Sequence, residues 1–294
     1  MKRFFLIVIL MSSQIFSQTS GLANLKNGVN ARDIAMSDLG VVSSGGAASF
    51  FYNPALLDGK TQFKFSHNSY IQDVNKEFLG ISFSFLDIPL AIGFASTVIP
   101  DIEIRTKPGE ADGKFDAHYF YGGISSAFNL SEELKAGVTA KFIYEGLFSD
   151  EANGYAVDFG LIHNNLFIDN LTAGISFKNI GTMEKLRNTA TELPQDLRIG
   201  LNYTYSLPNI KSVVNLTGGM QKYLNSGNSH LHIGAEINYA SSFALRLGYV
   251  TGYEGKSISF GGGVIWGNIK FDYAFVPFSY ELGNSHFITI GYDL

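Results

Sequence analysis

The carboxyl-terminal part of the chain alternates apolar with small or polar residues at a period of two. Four segments within residues 243–294 show the pattern. Their apolar positions are Phe243, Leu245, Leu247 and Tyr249; Ile258, Phe260, Val264 and Trp266; Ile269, Phe271, Tyr273 and Phe275; and Ile288, Ile290, Tyr292 and Leu294. Because successive side chains of a strand point to opposite faces, each segment predicts a strand with one apolar face. A last strand that runs to Leu294 favours a barrel of the outer-membrane kind.

The same alternation predicts ten further strands upstream, separated by turn residues such as Asn164-Asn165. They lie near residues 61–70, 77–87, 89–99, 116–128, 133–146, 153–163, 170–179, 195–206, 210–222 and 230–240. With the four terminal strands the tally is about fourteen, an even number, as in single-chain bacterial barrels. We therefore predict an all-β fold, a transmembrane antiparallel barrel over residues 61–294. A barrel of that width needs a plug or a water-filled lumen.

Residues 18–60 lack a sustained period of two and are punctuated by glycine and proline. Phe50, Phe51, Leu56 and Leu57 in this segment need burial. We therefore expect it to fold into the barrel mouth as a plug rather than to form a free linker.

The first 17 residues have the pattern of a signal peptide. Lys2 and Arg3 precede the apolar run 4–11, which is too short to span a membrane, and Ser17 supplies a small residue for cleavage. The sequence thus predicts an exported protein.

Composition narrows the function classes. Charged residues make up 16% of the chain and aromatic residues 14%, which is unusual for a soluble protein. A net charge of −5 disfavours nucleic-acid binding, and the absence of cysteine excludes disulfides and thiolate chemistry.

We assign several charged residues to the inward face of the predicted barrel. The reason is that a charge on the lipid face at the midplane would destabilise the barrel by about 2–4 kcal/mol. The predicted lumen charges are Lys135, Lys141, Asp158, Lys178, Arg198, Glu236, Arg246, Lys270 and Asp272. One interpretation is that they pair across a wet lumen and hold it open. The other is that they line a substrate path.

Two long connections, residues 100–115 and 181–194, are rich in charge. We expect solvated loops, and partner contacts are the alternative.

Motifs for catalysis or metal binding are not evident in the sequence. The glycine run at 261–263 lies within a strand and fails the context of a dinucleotide fingerprint. His230 and His232 share one strand face, but without an evident third ligand we expect a surface pair at a strand end. The sequence predicts neither an enzyme nor a cofactor nor a metal site.

Several segments resemble the PorV/PorQ family. The resemblance lies in residues 28–36 (GVNARDIAM), 52–57 (YNPALL), 193–200 (LPQDLRIG), 232–236, 244–249, 271–278 (FDYAFVPF) and 282–286 (LGNSH). Asn53, Pro54 and Ala55 form an Asn-Pro-Ala motif shared with the wider FadL-like outer-membrane barrels, and they define the expected plug motif.

This resemblance implies a 14-stranded FadL-like barrel in the outer membrane of a Gram-negative, Bacteroidetes-type bacterium. It also implies a role in type IX secretion or surface attachment, with secretion-system proteins and cargo carboxyl-terminal domains as partners beside outer-membrane lipid.

Other functions remain open at this stage. The main alternative is a FadL-like transporter of hydrophobic small molecules, in which residues 18–60 form a gate and a pocket near Phe50, Phe51 and Leu57 holds the ligand. A purely structural barrel and a soluble sandwich are further possibilities.

Overall fold

A computed structural model describes residues 22–294, so the expected signal peptide and residues 18–21 lie outside it. Within residues 22–294, fourteen antiparallel strands close into one barrel, and two short strands form a separate hairpin. The strands are β1 (Gln62–Ser69), β2 (Asn75–Phe85), β3 (Ile88–Ile104), β4 (Gly113–Asn129), β5 (Leu134–Leu147), β6 (Asp150–His163), β7 (Leu171–Met183), β8 (Lys185–Leu186), β9 (Thr189–Ala190), β10 (Asp196–Leu207), β11 (Ser212–Tyr223), β12 (Ser229–Tyr239), β13 (Phe243–Val250), β14 (Ile258–Trp266), β15 (Ile269–Pro277) and β16 (Asn284–Asp293). The predicted fourteen-stranded barrel is confirmed.

The period of two in the sequence becomes the inside and outside of the wall. In β13, Ala244 and Arg246 are buried, whereas Leu245 is 69% exposed and Leu247 52% exposed. The outward face is therefore apolar and the inward face small or polar, as in barrels that span a membrane.

The barrel closes where β1 pairs with β16. Phe65 lies opposite Ile290, and the pairing runs along the whole of β1. Closure leaves neither strand with a free edge along this seam.

The two ends of the barrel differ. The turn end carries residue 61, the chain end at Leu294 and short connections such as 86–87 and 267–268. The opposite loop end carries the longest connections, 105–112 and 184–195.

Two segments expected as loops contain strands. β3 continues to Ile104 and β4 begins at Gly113, so most of residues 100–115 form a hairpin that extends past the neighbouring strands. Residues 181–194 contain the end of β7 and the β8–β9 hairpin. Both segments were predicted as loops because they are rich in charged residues. Asp101 and Glu103, on either side of Ile102, lie in a projecting hairpin rather than in the membrane wall, so their strand carries charge.

The amino-terminal segment, residues 22–57, is largely buried and contains short helical turns. These are α1 (Ala31–Ala35), α2 (Ser49–Tyr52) and the 3-10 turns Ala23–Leu25, Gly46–Ala48 and Pro54–Leu56; two further 3-10 turns, Ile71–Asp73 and Pro208–Ile210, lie in connections. Val29, Leu39, Phe50 and Tyr52 are all inaccessible to solvent. Fully burying such a side chain stabilises the fold by about 1.5–3 kcal/mol, so the segment is packed as a core. None of the helices between residues 22 and 294 is long and apolar enough to cross a membrane.

Candidate functional site

The amino-terminal segment is hydrogen-bonded to the inward face of the barrel wall. The amide of Ala31 donates to Thr289 Oγ1 of β16 at 2.9 Å. On another part of the wall, Arg198 of β10 donates through Nη1 to the carbonyl oxygen of Leu39 at 2.9 Å. These bonds satisfy backbone groups that an irregular buried segment would otherwise leave unpaired.

The Asn-Pro-Ala motif lies within this buried segment. Asn53 Nδ2 donates to the carbonyl of Val41 at 2.8 Å and, more weakly, to that of Leu161 in β6 at 3.3 Å. Asn53 Oδ1 accepts from the amide of Ala55 at 3.0 Å and so caps the turn that begins at Pro54. The side chain of Asn53 thus fastens the segment to itself and to the wall.

Glycines on the wall make room for this motif. A Cβ atom added at Gly137 of β5 would lie 2.4 Å from the backbone nitrogen of Ala55. One added at Gly160 of β6 would lie 1.9 Å from Asn53 Oδ1. Both separations are far below van der Waals contact, so these wall positions require glycine.

Four of the charged side chains meet in one chain of ion pairs. Arg32 on α1 contacts Glu236 of β12 through Nη2–Oε1 at 2.7 Å and Nε–Oε2 at 2.9 Å. Arg246 of β13 donates to the same Glu236 at 2.6 Å and to Asp272 of β15 at 2.7 Å. Three of the predicted lumen charges therefore lie together, and the fourth partner, Arg32, comes from the amino-terminal segment.

A second group of charges surrounds Asp158. Lys141 Nζ lies 2.7 Å from Asp158 Oδ1 and donates to Asn179 Oδ1 at 2.5 Å. The side chains of Lys141 and Asp158 are 4% and 1% exposed, so this pair is buried rather than set across open water.

Arg198 and Lys178 form a third group on the inward face. Arg198 pairs with Asp196 at 2.9 Å. Lys178 Nζ lies 3.7 Å from the centre of the Phe51 ring and 4.0 Å from Asp196 Oδ2. Both cations are almost fully buried.

The two remaining predicted charges are more accessible. Lys270 pairs with Asp293 at 2.5 Å near the turn end, with its side chain 38% exposed. Lys135 is half-buried at the turn-end start of β5, where it lies opposite the buried Ile162.

Asp33 on α1 carries a buried carboxylate next to Arg32, which belongs to the chain of ion pairs with Glu236. Asn30 Nδ2 donates to Asp33 Oδ2 at 2.6 Å, and Ser44 Oγ donates to the same atom at 2.8 Å. Burial raises the pKa of Asp33, and the opposing effect of the neighbouring Arg32 does not cancel the shift.

A cavity of about 420 Å³ opens at the loop end. Its wall combines apolar and aromatic side chains with a few polar groups. The lining includes Leu22, Asn24, Asn27, Tyr70, Ile71, Gln72, Val74, Thr97, Ile99, Tyr119, Tyr253, Glu254, Lys256 and Phe278. Lys256 Nζ lies 4.7 Å from the centre of the Tyr253 ring, and burial lowers the pKa of this lysine. The volume and mixed lining fit a small, mainly apolar molecule.

A second cavity, of about 380 Å³, lies at the turn end and is polar. Arg32, Glu236, Arg246, Lys270 and Asp272 line it. It shares no lining residue with the loop-end cavity, and side chains of the amino-terminal segment line both.

The position of the apolar pocket expected near Phe50 and Phe51 differs in the structure. Phe50 stacks on Tyr121 with ring centroids 6.3 Å apart and is fully buried, and Phe51 is 4% exposed. Phe50, Phe51 and Leu57 belong to the hydrophobic core, and none of them lines the loop-end cavity.

The histidine pair is not at the surface as expected. Because even-numbered positions of β12 face inward, His230 and His232 are 3% and 2% exposed. His232 Nδ1 lies 2.6 Å from the carbonyl oxygen of Ser37, and His230 stacks on Tyr253 at 3.7 Å. Between residues 22 and 294 there is no group of three or more His, Cys, Asp or Glu placed to hold a metal ion.

Sequence reasoning missed the residues contributed by the irregular parts of the chain. Arg32 and Asp33 have no strand pattern, and Tyr253 and Lys256 lie in the β13–β14 connection. One signal was available: residues 22–57 carry only four charged side chains, Lys26, Arg32, Asp33 and Asp38. A charge in a segment that must be buried indicates a specific partner.

No protein family and no curated protein matches this sequence. Solved structures do match the fold. The toluene transporter TodX of Pseudomonas putida is 13% identical with a TM-score of 0.62, covering 95% of this chain and 98% of that one. The monoaromatic hydrocarbon channel CymD is 12% identical with a TM-score of 0.59, covering 90% and 96%. A FadL homologue of Pseudomonas aeruginosa is 10% identical with a TM-score of 0.51, covering 91% and 98%. The chain therefore shares the fold of outer-membrane barrels of the FadL type.

Proposed function

We propose that this protein is a non-enzymatic outer-membrane barrel that admits small, mainly apolar molecules at its loop end. The observation that carries the proposal is the loop-end cavity of about 420 Å³, within the range of about 300–1,000 Å³ typical of small-molecule sites. Two structures with the same fold are described as a hydrocarbon channel and a toluene transporter, which supports this substrate class.

The orientation follows from the connections. Bacterial outer-membrane barrels have short turns at the periplasmic end and longer loops outside. The loop end, with the cavity, then faces the exterior, and the polar cavity faces the periplasm. An exported chain of a Gram-negative, Bacteroidetes-type bacterium, with residues 1–17 as its signal peptide, fits this placement.

The amino-terminal segment acts as the plug in this proposal. Its buried core and its bonds to the wall separate the two cavities. A molecule that enters from outside therefore requires a shift of residues within 22–57, or an exit through the wall, to reach the periplasm.

The test is binding of toluene to the purified protein in detergent, measured by calorimetry, with uptake measured in a host that lacks other barrels of this fold. Ile99→Trp fills the cavity, because Ile99 lines it. Ile92→Trp is the matched control, since Ile92 lies on the same strand but faces outward and is 46% exposed. We expect at least a tenfold loss of affinity for Ile99→Trp and no change for Ile92→Trp. Equal binding by the two variants contradicts the proposal.

A second candidate function is protein binding in type IX secretion or surface attachment, as the likeness to the PorV/PorQ family implies. The observation that favours it is the β3–β4 hairpin, which projects past its neighbours beside the β8–β9 hairpin at the loop end. Co-purification from outer membranes in mild detergent, followed by mass spectrometry, tests it. Recovery of secretion-system proteins or of proteins with a shared carboxyl-terminal domain supports this function, and recovery of the barrel alone contradicts it.

A further inference from the structure

The projecting hairpins enclose a groove at the loop end, which we call the rim groove. It has a volume of about 350 Å³ and lies between the end of the β3–β4 hairpin, the β5–β6 turn and β8. Its lining residues are Glu103, Ile104, Phe115, Leu147, Phe148, Asp150, Leu186 and Arg187. Five of these residues are apolar, and three, Glu103, Asp150 and Arg187, are charged.

Aromatic side chains in the rim groove remain accessible. Phe115 and Phe148 meet edge to face with ring centroids 5.3 Å apart. Phe148 is nevertheless 64% exposed, at the tip of a turn that extends from the wall. An aromatic pair in a groove, with the Phe148 ring exposed and the Phe115 ring half-buried, offers an anchor site for an apolar side chain of a partner.

One wall of the rim groove is a free strand edge. β4 pairs with β5 only from Ala117 onward, although β4 itself begins at Gly113. Within the described chain, the stretch from Gly113 to Asp116 has β3 on one side and no strand on the other. Unpaired backbone groups along such an edge accept an added strand.

The rim around the groove is acidic. Residues 101–116 carry five acidic and three basic side chains, residues 145–151 carry three acidic ones, and residues 184–192 carry two of each sign. Together these segments hold a net charge of −5, equal to that of the whole chain. A clustered charge of one sign selects and steers a partner of the opposite sign.

The acidic side chains of the rim groove can exchange their present ion-pair partners for basic side chains of another protein. Glu103 pairs with Arg105, just past the end of β3, and Asp150 pairs with Arg187, and these side chains are between 27% and 65% exposed. Exposed pairs of this kind contribute only about 0–1 kcal/mol, so a basic partner displaces them at little cost.

We propose that the rim groove receives an extended basic segment of a partner protein, which adds a strand to the edge of β4 and places an apolar side chain beside Phe115 and Phe148. The proposal rests on the second candidate function, protein binding, and does not involve the transport cavity. The free edge of β4 requires an extended partner segment, and the aromatic pair requires an apolar side chain in that segment. The acidic rim requires that the segment be basic.

The test uses the full-length barrel in detergent and a fluorescein-labelled synthetic peptide that alternates Lys with Val and Phe. A peptide with Glu at every Lys position is the charge control, and protein-free micelles give the baseline. A third peptide, N-methylated at every backbone amide, keeps the side-chain charges but has no backbone donors on either edge and cannot pair as a strand. We expect the basic peptide to bind at least tenfold more tightly than either of the others. Its affinity is expected to fall as the ionic strength rises from about 0.01 M to about 1 M, where the Debye length shrinks from about 30 Å to about 3 Å.

Matched variants locate the site. The double variant Glu103→Lys with Asp150→Lys and the single variant Phe148→Ser are each expected to weaken binding at least tenfold. Glu281→Lys, in the β15–β16 connection, and Phe167→Ser, 88% exposed in a turn-end connection, are the controls and are expected to bind like the unmodified protein. Equal binding of the acidic and basic peptides, or unchanged binding by the groove variants, overturns the proposal.

Co-purification separates this proposal from the function on which it rests. If the same partners are recovered with the unmodified protein and with the Phe148→Ser variant, protein binding stands and the rim groove is overturned as its site. If partners are lost only in the groove variants, the rim groove is supported. Binding of the basic peptide without any recovered partner supports the rim groove and counts against the secretion role alone.

Discussion

Arg32 and Glu236 join the amino-terminal segment to the barrel wall through two parallel hydrogen bonds. The Nη2–Oε1 distance is 2.7 Å and the Nε–Oε2 distance is 2.9 Å, the geometry of a bidentate guanidinium–carboxylate pair. The side chain of Glu236 is 2% exposed and that of Arg32 is 25% exposed. This pair is the point where a charge on the segment is matched by one on the wall.

Arg32→Met is expected to loosen the segment without unfolding the barrel. Glu236 keeps its bond to Arg246 at 2.6 Å, so the carboxylate is not left unpaired. The loss is therefore that of charge-assisted hydrogen bonds, about 1–3 kcal/mol. We expect a lower thermal midpoint in detergent and higher ion conductance in planar bilayers. Lys60→Met, which removes an exposed pair with Asp58, is the control and is expected to change neither. Unchanged conductance of Arg32→Met contradicts a role of the pair in holding the segment.

Gly137→Ala is expected to displace the Asn-Pro-Ala turn. The added methyl group would lie 2.4 Å from the backbone nitrogen of Ala55, so the turn or the wall must move. Overpacking of this kind destabilises by about 1–3 kcal/mol. Gly262→Ala is the matched control, because its Cβ would lie 3.5 Å from its nearest neighbour, Ala244 O. The temperature at which each barrel unfolds in gel-shift experiments measures the difference, and equal temperatures would show that the contact is not limiting.

The wall of the barrel was predictable from sequence because its physical rule is local. A strand that separates lipid from interior must alternate, and residues such as Leu245 and Arg246 show the alternation in adjacent positions. The boundary of β3 shifted at a place where the rule stops applying. Past Ile99, β3 leaves the wall, and Asp101 and Glu103 need not face away from lipid.

The candidate site was harder to predict because its partners are distant in sequence. Glu236 was expected to face inward, but nothing near it indicated Arg32, which lies 204 residues away. The loop-end cavity combines the amino-terminal segment with the β13–β14 connection, and neither has a repeating pattern. Packing of an irregular segment against a wall depends on shape, which the sequence does not display.

Asp33 is expected to make stability depend on pH. Burial raises the pKa of this carboxyl, so the folded protein binds its proton more tightly than the unfolded chain does. The folded state is then favoured below the unfolded pKa of about 3.9, and that contribution is lost as the pH rises through the higher folded pKa.

The variant Asp33→Asn tests this dependence. It keeps one carbonyl oxygen to accept the bonds from Asn30 and Ser44 but does not titrate. We expect the unmodified protein to lose stability relative to Asp33→Asn as the pH rises from about 4 to neutral, measured as the difference between thermal midpoints. Asp58→Asn is the exposed control. A difference that stays constant with pH shows that Asp33 does not titrate in that range.

Lys178 and Lys141 allow a direct comparison of two buried lysines. Lys141 pairs with Asp158 at 2.7 Å and bonds to Asn179, and removing it leaves a buried carboxylate short of a partner. Lys178 has no hydrogen bond within the described residues and lies 3.7 Å over the Phe51 ring.

The variants Lys141→Met and Lys178→Met are therefore expected to behave differently. Breaking a buried pair destabilises by about 3–5 kcal/mol, which we expect for Lys141→Met. For Lys178→Met, relief of an unsatisfied buried donor, worth about 1–3 kcal/mol, offsets the loss of a cation–π contact worth about 0.5–2 kcal/mol. We expect Lys178→Met to stay within about 1 kcal/mol of the unmodified protein in denaturant titrations. A loss as large as that of Lys141→Met would show that the attraction between Lys178 and Asp196, whose Nζ and Oδ2 atoms lie 4.0 Å apart, outweighs the unfavourable burial of the ammonium group.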